Sequence, residues 1–174
     1  MFTGWVYDAL LEYGQEVKVG HPLMLRAIAA AKIKNDKVDA RMLANLLRAD
    51  LFPRCYMAPQ KMRDLRRVMR YRTLLVREST RMKNKAAGLL QEVGIEYEGR
   101  RLHGKRYFHE LLDTLEEVPK SVVDLLKMTR SNVELFTAAQ QRLVAGLAQH
   151  RELRERVARL QTVPGVGIVT ALTW

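Results

Sequence analysis

Apolar residues recur at alternating spacings of three and four along two long stretches of this chain. In the first, Leu65, Val68, Arg72, Leu75, Ser79, Met82, Ala86, Leu89 and Val93 form one seam, and seven of the nine are apolar. That spacing is the heptad signature of a helix that packs along its length. It predicts a helix from Gln60 to Val93, with Pro59 in the entry turn and Gly94 as the stop. In the second, after Pro119, the seam runs Val122, Leu126, Thr129, Val133, Phe136, Gln140, Leu143, Leu147. Two seams of similar length with a connector between them predict an antiparallel helical, coiled-coil hairpin. The connector contains "EGRRLHGKR", a basic break with two glycines, and "HRELRERVARL" is expected to continue the second helix.

The flanks are less regular. "TGWVYDALLEYG" sets Trp5, Leu10 and Tyr13 on one side of a short helix, with Gly14 as a natural stop. "QEVKVGHP" alternates apolar and polar residues, so Val17 and Val19 mark the clearest strand candidate. Pro22 opens a short helix through "LMLRAIAAA", another helix is expected at about Lys37–Ala49, and "RCYMAP" reads as an extended connector. A lone strand leaves its backbone groups unpaired. Either it is not a strand, or the rest of its sheet lies outside these residues. The fold class read from the pattern is therefore mainly α.

Composition narrows the function classes. The chain has 174 residues, with 30 Lys+Arg against 19 Asp+Glu, a formal charge of +11. That excess points to a polyanionic partner, nucleic acid above all. No apolar run reaches the roughly 18 residues of a spanning helix, and no signal layout opens the chain, so a cytoplasmic setting is expected. One cysteine, Cys55, excludes an internal disulfide framework and a multi-cysteine zinc site.

The charge is concentrated. Between Lys61 and Lys85 lie ten positive side chains, among them Arg63, Arg66, Arg67, Arg70, Arg72, Arg77, Arg81 and Lys83, against Asp64 and Glu78 alone. A net +8 on one helix repels itself unless a counter-charge covers it. Phosphates of a nucleic-acid backbone are one cover. Acids of the partner helix region, Glu116, Glu117, Asp124 and Glu134, are the other. Nothing in the helix suggests base readout, since repeated arginines fit phosphates equally well. Lys32, Lys34 and Lys37 add a smaller basic cluster upstream.

Two motifs carry candidate chemistry. "LQTVPGVGIVTALTW" has the layout of a helix-hairpin-helix element, in which Gly165 and Gly167 let backbone N–H groups approach a phosphate. An ordinary tight turn explains the same residues. "KIKNDKVDARMLANLLRADLFP" sets Asp36 and Asp39 three apart at the start of a helix. Asn35 or Asp36 serves as a cap and Asp39 sits in the first turn, where the macrodipole favours an acid. Alternatively, two carboxylates on one helical face hold Mg²⁺ or Mn²⁺, hard cations that take oxygen ligands. Spacing alone favours capping, because metal-dependent phosphoryl transfer needs further acids from other elements. His21 and His103 lack ligand spacing and read as structural or surface residues.

"AKIKNDKVDARMLANLLRADLFP" closely resembles the segment that ends the catalytic domain in the DEDD transposases of bacterial insertion-sequence family one-ten. "TGWVYDALLEYGQEVKVGHPLMLRAIA", "RDLRRVMRYRTLLVRESTRMKNKAAGLL" and "LQTVPGVGIVTAL" resemble the same family in the same order. The resemblance implies a RuvC-like domain of the ribonuclease-H fold, then a coiled coil, then a C-terminal domain with a catalytic serine. In these terms residues 1–53 are the C-terminal part of the catalytic domain, 54–159 the basic helical region, and 160–174 the start of the last domain. It implies that Asp36 and Asp39 are the last two acids of the DEDD set and ligands of Mg²⁺ or Mn²⁺. It implies DNA as partner and, in some members, a structured guide RNA. The two heptad runs themselves predict a homo-oligomer, or pairing with full-length transposase, through the coiled coil. The departures matter as much. No residues correspond to the strand bearing the family's first Asp, and Met1 stands where its Glu is expected before Thr3-Gly4. The chain also stops before the expected serine. A chain truncated at both ends and catalytically incomplete is the expectation, from a decayed gene or a misplaced start. The lone strand is then a remnant of a larger sheet.

Overall fold

The computed structural model describes residues 3–14, 16–28, 35–115 and 118–174. The chain divides into two units, residues 1–63 and 64–174. The described residues are mainly helical, as the periodicity predicts.

In the first unit, α1 spans Thr3–Leu11, α2 Pro22–Ile28 and α3 Asp36–Arg48. Gly14 follows α1 at φ +68, a left-handed value that glycine adopts without strain. Trp5, Leu10 and Tyr13 are all exposed, so the side of α1 that the pattern marks as apolar is not a packed one in this unit. Arg63 ties α1 to the end of the unit: its guanidinium donates to the Asp8 carboxylate and, at 3.1 Å, to the Ala58 carbonyl. The end of the expected "LMLRAIAAA" helix, from Ala29 on, lies outside the described residues.

The strand expected at Val17–Val19 is reduced to one isolated antiparallel bridge between Gly20 and Arg54. Cys55 N–H donates to the Val19 carbonyl at 2.7 Å, and His21 N–H to the Pro53 carbonyl at 2.8 Å. Pro53 has no N–H to give, which limits any longer ladder. Among the described residues no strand forms. Gly20 leaves little room at the bridge: a Cβ there would lie 2.5 Å from Leu25 Cδ1 and 2.9 Å from Phe52 Cζ, so those side chains would have to move.

The second unit is built on two long helices. α4 spans Gln60–Glu92, its first turn belonging to the first unit, and α6 spans Lys120–Ala148. Between them α5 covers Lys105–Asp113, a helix that the basic-break reading of this stretch did not include. Its Phe108 and Leu111 join Ala86, Leu89 and Leu90 of α4, Leu126 of α6, and Leu102 and Leu115 in one core. Burial there is deep, and Leu90 and Leu126 are both 0% exposed. Met82 sits beside Asn132, with Asn132 Nδ2 3.9 Å from its sulfur. Ala86 lines the same small notch as Thr129. The end of α4 therefore meets the start of α6. The eight seam positions on α4, Val93 just after it, and all eight of α6 are buried or half-buried. Arg72, the charged seam member, keeps a buried Nε without an acceptor among the described residues.

The second helix does not run on through "HRELRERVARL". It ends at Ala148, a turn occupies 149–153, and α7 starts afresh over Arg154–Gln161. α8, Ile168–Thr173, then packs back on both α6 and α7, with Ala171 buried. The turn has no Gly or Pro to announce it. The break allows α7 and α8 to fold back, with α8 meeting α6.

Candidate nucleic-acid interface

A helix turns about 100° per residue. On α4 this places Arg66, Arg70, Arg77 and Arg81 within about 60° of one another, on the side opposite the seam. All four are exposed. The elements that pack on α4 in its own unit do so through Ala86, Leu89 and Leu90, and leave the arginine side open.

Among the described residues the acids do not cover it. Asp64 reaches Arg67 at 3.1 Å and Glu78 reaches Arg81 at 4.0 Å, both pairs exposed and within the helix. Glu134 pairs with Arg130 of its own helix at 2.9 Å, and Asp124 makes no ion pair among the described residues. Glu116 and Glu117 lie outside the described residues. Arg66, Arg70, Arg77 and Lys85 have no acid partner among the described residues. Exposed pairs are worth only about 0–1 kcal/mol each. The two that do form therefore leave the field of the helix strongly positive.

Other residues expected at this surface are placed differently. Arg63 is spent on Asp8 and Ala58. Lys83 is half-buried beside His103 and Arg130 in the notch between α4, α6 and the loop before α5. Lys37 is exposed in the first turn of α3, whereas Lys32 and Lys34 lie outside the described residues. Gly165 adopts φ +85 and Gly167 is the N-cap of α8, so both stand in the turn between α7 and α8.

The notch shows an arrangement the sequence did not suggest. Arg130 donates to the His103 carbonyl at 2.7 Å and to Glu134, and its guanidinium lies 5.6 Å from the Phe108 ring centroid. It fastens the loop before α5 to α6. His103 is exposed as a residue, but partial desolvation of its imidazole in the notch holds it below its ordinary pKa of 6.5, and the neighbouring Lys83 and Arg130 charges push the same way.

Asp36 and Asp39 both stand in the first turn of α3. The cap is Asn35, whose side-chain oxygen accepts the Val38 N–H at 2.8 Å. Asp36 is thus freed from capping, and both carboxylates are exposed with no bonded partner among the described residues. Residues three apart project from one helical face. Among the described residues no group of three or more His, Cys, Asp or Glu gathers to hold a metal ion. The pair offers hard oxygen donors of the kind Mg²⁺ and Mn²⁺ prefer, but only part of the six-coordinate shell.

A DEDD transposase family of insertion-sequence type IS110, described as Transposase, matches residues 2–95. The chain belongs to this transposase family. The match covers more than half of the chain and takes in α1–α4, with both aspartates and the whole arginine face. No curated protein and no solved structure matches it significantly. Among the described residues no helix is long and apolar enough to cross a membrane.

Proposed function

We propose that this member of the transposase family grips nucleic acid, DNA first, through the uncovered face of α4, and that Asp36 and Asp39 supply two of the four acids of a DEDD site. The observation that carries the reading is the arginine face: a dense positive charge on a packed helix, with Glu134 of α6 engaged by Arg130 and Asp124 unpaired among the described residues. The bland alternative, internal neutralisation by acids, finds no support at its two described members: Glu134 is engaged by Arg130 and Asp124 pairs with nothing described. A structured guide RNA presents the same phosphates, and the reading extends to it.

At the acidic pair, Mg²⁺ or Mn²⁺ would be held by the Asp36 and Asp39 carboxylates. Such ions stabilise the charge that develops in phosphoryl transfer. Two carboxylates from one helix turn do not fix two metals about a scissile phosphate. The chain by itself is therefore read as binding metal weakly and performing no strand cleavage. The segments 1–53 and 160–174 are read as portions of a RuvC-like domain and of a helix-hairpin-helix-like element, with Gly165 and Gly167 near phosphate.

A second role, as an interaction fragment that pairs with a copy of the transposase through α4 and α6, is favoured by one observation. Leu125, Met128 and Leu135 of α6 remain exposed although they lie on a helix with a packed seam.

The test of the main reading is retention of a labelled duplex between about 50 and 200 mM salt, a range over which phosphate contacts weaken steeply. Binding at low salt that falls steeply, and falls further when Arg66, Arg67 and Arg70 are changed together to Gln, supports it. A flat salt response, or no binding at low salt, overturns it.

A further inference from the structure

The arginines on the open face of α4 are not evenly spread. They come as two pairs, Arg66 with Arg70 and Arg77 with Arg81. Members of a pair are one helical turn apart, about 6 Å along the axis. The seven residues from Arg70 to Arg77 open a gap of about 10.5 Å, and the outer arginines stand about 22.5 Å apart. In the gap the same face carries Thr73, whose hydroxyl is turned back to the Met69 carbonyl at 3.0 Å. Exposed Leu74 lies beside it. The middle of the face is therefore nearly without free hydrogen-bonding groups, while its two ends are cationic.

From this spacing we infer that α4 lies across the major groove of B-form DNA, each arginine pair clamping the phosphates of one strand. The inference rests on the nucleic-acid reading above and names the form of the partner. The major groove is about 12 Å wide and the minor groove about 6 Å. A gap of about 10.5 Å between inner arginines, lengthened by side chains that splay outward, spans the first and overshoots the second. Thr73 and Leu74 then face the groove without donors for base edges, so the grip is independent of sequence. A single strand presents one line of phosphates and satisfies one pair at a time. Duplex RNA has a deep, narrow major groove, which does not fit the gap, and its wide minor groove is too shallow to seat a helix between the two lines of phosphates.

The experiment compares the intact chain with three variants, R66Q/R70Q, R77Q/R81Q and R100Q/K105Q. The last removes equal charge from exposed positions in and after the loop that precedes α5. Affinity for a 20-base-pair DNA duplex, the same single strand and the matching RNA duplex is measured by fluorescence anisotropy at several salt concentrations. All substituted positions are exposed, and far-UV ellipticity checks that the helices persist. Each α4 pair variant is expected to reduce the slope of log affinity against log salt by about 1.8, at about 0.9 per phosphate. The R100Q/K105Q slope is expected to stay at the parent value, and DNA duplex is expected to bind at least tenfold tighter than the other two probes. A loss confined to one pair, an equal loss in R100Q/K105Q, or equal affinity for single strand or RNA duplex overturns the groove-spanning inference while leaving phosphate binding intact. No binding to any probe overturns the reading on which it rests.

Discussion

Leu126 and Leu135 are the same residue on the same helix, nine positions apart, and the structure assigns them opposite weights. Leu126 is 0% exposed in the core shared by α4, α5 and α6, whereas Leu135 is 64% exposed. Leu126→Ala removes three carbons from a closed core. At roughly 0.8 kcal/mol per buried methylene the transfer part alone is about 2.4 kcal/mol. The cavity left behind raises the cost into the range of about 2.7–5 kcal/mol seen for buried Leu→Ala changes. Leu135→Ala leaves no cavity and is expected within about 0.5 kcal/mol of the parent. Urea unfolding followed by ellipticity at 222 nm measures both, since most of the helix belongs to the second unit. The midpoint should fall clearly for Leu126→Ala with an unchanged slope, and stay for Leu135→Ala. Equal effects, or a cost below about 1 kcal/mol at Leu126, would refute the assignment of the seam as the packed face.

Further expectations follow from the same geometry. Gly20→Ala forces a methyl against Leu25 and Phe52, and should destabilise the first unit by about 1–3 kcal/mol, read as increased amide exchange at His21 and Cys55. Arg63→Gln should loosen α1 to proteolysis while leaving the salt slope for DNA unchanged, because its guanidinium is already bound to Asp8 and Ala58. His103 has a folded pKa below its ordinary 6.5, so the unfolded chain binds more protons as pH drops below that value. Stability is therefore full above about 6.5 and falls as pH decreases through the window down to the folded pKa, and His103→Gln should flatten that fall. The fall is small because the residue is largely exposed. Asn35→Ala should cost about 0.5–2 kcal/mol through loss of the α3 cap, whereas Asp36→Asn should change stability by less than about 1 kcal/mol yet abolish any Mn²⁺ binding seen by calorimetry. Retained Mn²⁺ binding in Asp36→Asn would remove that residue from the ligand set.

The long helices were legible because their evidence is repetitive. The expected Gln60–Val93 differs from the observed Gln60–Glu92 by one residue, and Pro119 marks the entry of α6 as expected. A heptad seam adds a vote at every turn. Short elements collect few votes. Phe108 and Leu111, three apart, and Leu112 and Leu115 already trace an amphipathic turn, but the charges of "EGRRLHGKR" drew the reading toward a break. The strand failed for another reason: alternation at Val17 and Val19 suits a sheet, but among the described residues the neighbouring backbone forms a single bridge, Gly20 with Arg54. Of the candidate site, the arginine face was legible from composition and period. Arg63's attachment to Asp8 was not, because it joins residues 55 apart in sequence. Which of Asn35 and Asp36 caps α3 was decided only by the cap hydrogen bond, which goes to Asn35.

The central claim is that the open face of α4 meets the phosphates. Arginine modification by phenylglyoxal, mapped by mass spectrometry with and without a saturating DNA duplex at low salt, tests it residue by residue. Protection is expected at Arg66, Arg70, Arg77 and Arg81, with no change at Arg106 and Arg159, which lie on α5 and α7. Unprotected α4 arginines, with protection on α5 or α7 instead, would contradict it.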